Sequence, residues 1–77
     1  MNTARRLVGA SLDSATFLNR LADDDDFATA GVNSGELIKL ALGCEDFLGR
    51  ALDDEELANL TSISAVDELI AASRRVG

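Results

Sequence analysis

Residues Asn33 to Gly49 constrain the fold more than any other stretch of the chain. Asn33 followed three positions later by Glu36 has the form of a capping box, in which each side chain takes the other residue's backbone N–H at a helix start. Beyond it Leu37, Ile38, Leu40, Ala41, Cys44, Phe47 and Leu48 fall at helical spacing and line a broad apolar face. Gly49 followed by Arg50 reads as a C-terminal stop. A helix opening at Asn33 or Ser34 and closing at Gly49 needs partners for that face, and the rest of the chain offers more helix.

Upstream, Leu7, Val8, Leu12, Ala15, Leu18 and Leu21 recur every three or four residues, so the preferred reading of Thr3 to Leu21 is one long helix. Its weak point is Asp13-Ser14, whose side chains compete for backbone hydrogen bonds. Asp23 to Asp26 end the pattern, because adjacent like charges repel and sit poorly at the negative end of a helix dipole. A solvated loop is expected from there to Val32, anchored by Phe27 and turned at Gly31. Downstream, Asp53 with Glu56 repeats the capping-box form, and Leu52 with Leu57 has the spacing of a hydrophobic staple, so a short helix should run to about Leu60. Ser64 with Asp67 opens the last helix, with Val66, Leu69, Ile70 and Ser73 on one face and Arg74-Arg75 complementing its dipole. Gly43, costly inside a helix, is expected to mark a close approach to the first or last helix. No strand-like alternation or internal repeat occurs. The expected fold is all-α: a four-helix bundle in one domain, residues 1–77, with a long loop after the first helix and a short third helix.

Composition narrows the chemistry. There is no histidine, which removes the commonest general base and metal ligand and excludes a His-dependent hydrolytic triad. The single Cys44 makes neither an intramolecular disulfide nor a paired-cysteine zinc site, and its mid-helix apolar setting reads as core rather than nucleophile. The simplest setting is reducing and cytoplasmic. No apolar run approaches a membrane span, and the start lacks the order of a secretion signal. With 14 acidic against 7 basic residues the net charge is −7, which argues against nucleic acid and for partners with basic surfaces. The Asp23–Asp26 run does not make a calcium loop: counted back from Gly31, the ligand positions fall on Asp26, Ala28, Ala30 and, last, Leu37.

The order of elements and the stretch from Phe27 to Leu42, FATAGVNSGELIKLAL, resemble the acyl and peptidyl carrier proteins of fatty acid, polyketide and nonribosomal peptide synthesis. A serine opening the second helix, the run from Phe47 to Glu56 and the Leu-Thr-Ser-Ile before the last helix extend the resemblance from Phe27 to Ile70. It implies a 4'-phosphopantetheine arm attached covalently to Ser34, no catalysis by the chain itself and no metal site. It also implies loading by a phosphopantetheinyl transferase with coenzyme A and magnesium. The further partners implied are an acyl- or aminoacyl-loading enzyme and a downstream transferase or synthase with a basic docking surface. Where the family usually has Asp-Ser-Leu this chain has Asn33-Ser34-Gly35, and losing the leucine points to a specialised pathway, of polyketide or nonribosomal peptide type. The start at Met1 with no linker favours a free-standing carrier, expected to be a monomer.

A loop-to-helix junction suits such an arm, because the N–H groups of the first helical turn favour a phosphate. On this reading Glu36, Glu45, Asp46 and Asp53 to Glu56 form an acidic side that steers partners. On spacing alone, however, Ser34 reads as a helix cap and the acids as a solvated face. The competing reading is an acidic helical interaction module without a prosthetic group.

Overall fold

The chain is all-helical, with a finer segmentation than four helices. The computed structural model describes residues 3–13 and 15–75, which form α1 (Thr3–Ser11), α2 (Ala15–Arg20), α3 (Phe27–Ala30), α4 (Ser34–Leu48), α5 (Asp54–Ala58) and α6 (Ile63–Arg75). α1 packs on α4 and α6. The core holds Val8 of α1, Leu40 and Cys44 of α4, and Ile63, Val66 and Ile70 of α6. None of these helices is long and apolar enough to cross a membrane.

The single long first helix is not formed. α1 ends at Ser11 and α2 starts at Ala15; Ser14 lies outside the described residues, as do the side chains of Arg74 and Arg75. The cause is tertiary: the Asp13 N–H donates to Glu36 Oε2 at 2.9 Å, and Lys39 Nζ holds Asp13 Oδ1 at 2.7 Å. Asp13 is thus bonded to α4 through both backbone and side chain. Gly9 lets α2 lie close, since a Cβ there would stand 2.8 Å from Leu18 Cδ2.

The segment after α2, expected to be loop as far as Val32, contains a helical turn, α3. Asp26 caps α3 by accepting from Thr29 N at 3.0 Å, and Gly31 ends it in the left-handed region at φ 104°. The other three aspartates are bonded as well: Asp23 to Arg5 (2.8 Å), Asp24 to Ser64 Oγ (2.9 Å) and Asp25 to Ala22 N (2.9 Å). Phe27 is the expected anchor, 1% exposed, with its N–H on Thr61 O at 2.8 Å.

α5 begins with the expected Asp53–Glu56 box. Of the two leucines with staple spacing, Leu52 is buried, whereas Leu57 is exposed and borders a hollow with Leu37, Ile38, Ala41 and Leu60. At α6 the cap is Ser62 rather than Ser64, its Oγ accepting from Ala65 N at 3.1 Å. Ser64 is drawn to the aspartate loop instead, its N–H on Asp23 O at 2.9 Å.

On α4 the buried row is Glu36, Leu40 and Cys44, flanked by half-buried Leu37, Ala41 and Leu48. Ile38 and Phe47, assigned to the same face by spacing, point outward at 61% and 46% exposure. Gly43 marks no close approach, because a Cβ there would meet nothing within 4 Å.

Candidate functional site

The start of α4 is built around Ser34. Asn33 is extended (φ −84°, ψ 166°), and its Oδ1 accepts from Glu36 N at 2.8 Å while Glu36 Oε1 accepts from Asn33 N at 3.1 Å. Asn33 is therefore the cap, and Ser34 is the first helical residue with no capping duty. The backbone N–H groups of Ser34 and Gly35, enclosed by the box, have no acceptor among the described residues. These are the open donors that every helix start exposes.

The serines separate cleanly. Ser11 Oγ donates to Leu7 O, Ser62 Oγ caps α6, Ser64 Oγ donates to Asp24, and Ser73 Oγ accepts from Arg50. Ser34 is the one described serine whose hydroxyl has no hydrogen bond to a described residue, and it is exposed. Beside it Gly35 leaves room: a Cβ there would sit 3.3 Å from Asn33 Oδ1, so a side chain would crowd the cap.

The acidic side is smaller than the sequence suggests. Glu36 is 5% exposed and spends both carboxylate oxygens on the N–H groups of Asn33 and Asp13, so it offers nothing to a docking partner. Glu45 Oε2 accepts from Leu52 N at 2.8 Å and braces the α4–α5 connection. Glu56 is gripped by the Arg50 fork at 2.9 and 2.7 Å, which, with the Asp53 N–H, holds its carboxyl at about 2. Asp46, Asp54 and Glu55 remain exposed, and their side-chain carboxylates have no hydrogen bond among the described residues. Ile38, Leu42 and Leu57 are exposed apolar residues of the same two helices, and Ile38 and Leu57 line the hollow of about 200 Å³.

Cys44 is fully buried, and burial pushes its thiol pKa up, which suits packing rather than nucleophilic attack. No group of three or more His, Cys, Asp and Glu among the described residues is placed to hold a metal ion. The capping-box pattern signals one of Glu36's two carboxylate bonds. Nothing in the sequence signals the other, to Asp13.

A family profile described as the phosphopantetheine attachment site matches residues 15–70, which include the whole of α2 to α5 and most of α6. The chain belongs to this family. No curated protein and no solved structure matches it significantly. As a member it is a carrier protein whose prosthetic group is 4'-phosphopantetheine on a serine. Its partners include a phosphopantetheinyl transferase and enzymes that act on what the arm holds. The carrier's α1 lies outside the matched stretch, so the bond from Glu36 to Asp13 reaches beyond it.

Proposed function

We propose that Ser34 is the serine that bears the arm. The observation that carries this is the uncommitted hydroxyl: among the described serines it alone is exposed, unbonded and placed at a helix start. The first turn of α4 suits the linking phosphodiester, because the open N–H groups of Ser34 and Gly35 lie at the positive end of a 15-residue helix. Once attached, the arm supplies a thiol that holds an acyl or aminoacyl group as a thioester.

Attachment joins Ser34 Oγ to the phosphorus nearest the pantetheine in coenzyme A. The pyrophosphate P–O bond breaks, and adenosine 3',5'-bisphosphate leaves. The serine proton passes to a base of the transferase, since the chain has no histidine to receive it. Catalysis belongs to the partners; the chain contributes the hydroxyl, its mounting and a docking face. To that face we assign the exposed Ile38, Leu42 and Leu57 with the exposed Asp46, Asp54 and Glu55, since apolar and acidic groups together suit transient pairing with basic enzymes. The chain acts as a single carrier domain in the cytoplasm. Gly35 in place of the family's usual leucine supports a specialised pathway, of polyketide or nonribosomal peptide type.

The test is intact-mass analysis after incubation with a broad-specificity phosphopantetheinyl transferase, coenzyme A and magnesium. The wild-type chain should gain about 340 Da, the mass of the arm, and Ser34→Ala should gain nothing. Equal loading of Ser34→Ala would remove Ser34 from the role. No loading of either chain, beside a control carrier that loads, would favour the acidic interaction module.

A further inference from the structure

A capping box is a local device, made within one turn and prone to fray with it. At α4 it is not left local. Glu36 is almost completely buried, and its carboxylate is shared between two backbone donors from different parts of the chain: Asn33 N at 3.1 Å and Asp13 N at 2.9 Å. One turn further along α4, Lys39 holds the Asp13 carboxylate at 2.7 Å. The turn carrying Ser34 is thereby fixed to the α1–α2 junction, which the core positions through Val8 and Phe27. The brace acts beside Gly35, whose missing side chain gives the backbone of this turn more freedom than another residue would.

We infer that Glu36 is a positioning residue for transfer to Ser34: its carboxylate bridge between Asn33 and Asp13 sets where the hydroxyl stands. This rests on the carrier reading of Ser34. Transfer requires the hydroxyl oxygen in line with the bond that breaks, so a displaced Ser34 turn lowers turnover more than binding. Glu36 has no hydrogen bond to the Ser34 hydroxyl; its two carboxylate oxygens are taken by backbone N–H groups, and it acts through the backbone it holds.

Two variants divide the alternatives. Glu36→Gln keeps the size but replaces one acceptor with an amide donor facing an N–H, so either Asn33 or Asp13 loses its partner. Glu36→Asp keeps the charge but is one methylene too short to span both. In steady-state loading by the transferase, both variants should show kcat lowered about tenfold with KM within about twofold of wild type. Ile70→Val, which loosens the core in α6, should leave kcat near wild type.

Wild-type kinetics in both Glu36 variants would overturn the inference. So would a raised KM at unchanged kcat confined to Glu36→Gln, the signature of a docking charge, or a matching loss of kcat in Ile70→Val, the signature of general loosening. If Glu36→Gln loses its helical circular dichroism, Glu36→Asp decides alone. Failure of the wild-type chain to load would remove the carrier reading of Ser34 and this inference with it, whereas normal loading of wild type and both variants alike removes only the inference.

Discussion

The two capping boxes of this chain share one sequence pattern and differ in nearly everything else. Asn33–Glu36 opens a 15-residue helix, is buried at its glutamate and is bonded to Asp13, 23 residues away. Asp53–Glu56 opens a 5-residue helix, and its glutamate is bonded to Arg50, 6 residues away. The second box is a local clasp reinforced by a neighbouring cation. In the first, the same local chemistry has become a tertiary joint, and Ser34 sits inside it. A cap pattern therefore fixes where a helix starts, while the burial of its glutamate decides whether that start is held rigidly to the rest of the fold.

The difference is open to attack by substitution. Glu36→Ala removes a buried carboxylate and leaves the part-buried Asp13 and Asn33 N–H groups without acceptors, and should cost about 2–3 kcal/mol in urea unfolding. Glu56→Ala should cost clearly less; equal losses would mean that the two boxes are equivalent. Removing the caps themselves should show the same order at smaller scale, with Asn33→Ala costing about 2 kcal/mol and Asp53→Ala about 1 kcal/mol. Gly43→Ala tests the middle of α4, where no neighbour lies within 4 Å of the new methyl, and should stabilise by about 1 kcal/mol. A loss there would reveal a constraint on α4 beyond its start.

The smallest effect is one of pH. The Glu56 carboxyl is held at about 2 against an ordinary value of 4.5, so its pairing contributes stability that is complete above 4.5 and disappears as the pH falls towards 2. Arg50→Gln removes the main cause of the depression. The stability gap between wild type and Arg50→Gln should therefore be constant above pH 4.5 and close on acidification through that window. A gap that persists at pH 2 would show that Arg50 acts through packing rather than through Glu56.

What the sequence made legible was what neighbours in sequence decide. The box at Asn33, the stop at Gly49, the box at Asp53 and the Phe27 anchor each rest on a few adjacent residues, and each stands where spacing puts it. The break in the first helix was only a weak point on paper, because it is made by Glu36 and Lys39 from 23 and 26 residues away. Ser64 offered a good cap pattern but was drawn to Asp24, leaving Ser62 to start α6. Ile38 and Phe47 have helical spacing suited to a core, yet α4 is covered along one row, Glu36–Leu40–Cys44, and they lie off it. At the proposed attachment site, the choice of Ser34 rests on the family resemblance. That Asn33 rather than Ser34 caps the helix, and that every other described serine hydroxyl is engaged, required the three-dimensional arrangement.

Ser34 is proposed to carry the arm because the fold leaves its hydroxyl free at a braced helix start. The most direct test is to load the wild-type chain with the transferase and coenzyme A, digest it, and locate the phosphodiester by fragment-ion mass spectrometry. The arm is expected on Ser34 alone, with Ser11, Ser62, Ser64 and Ser73 unmodified. An arm on any other serine, or none under conditions that load a control carrier, would contradict it.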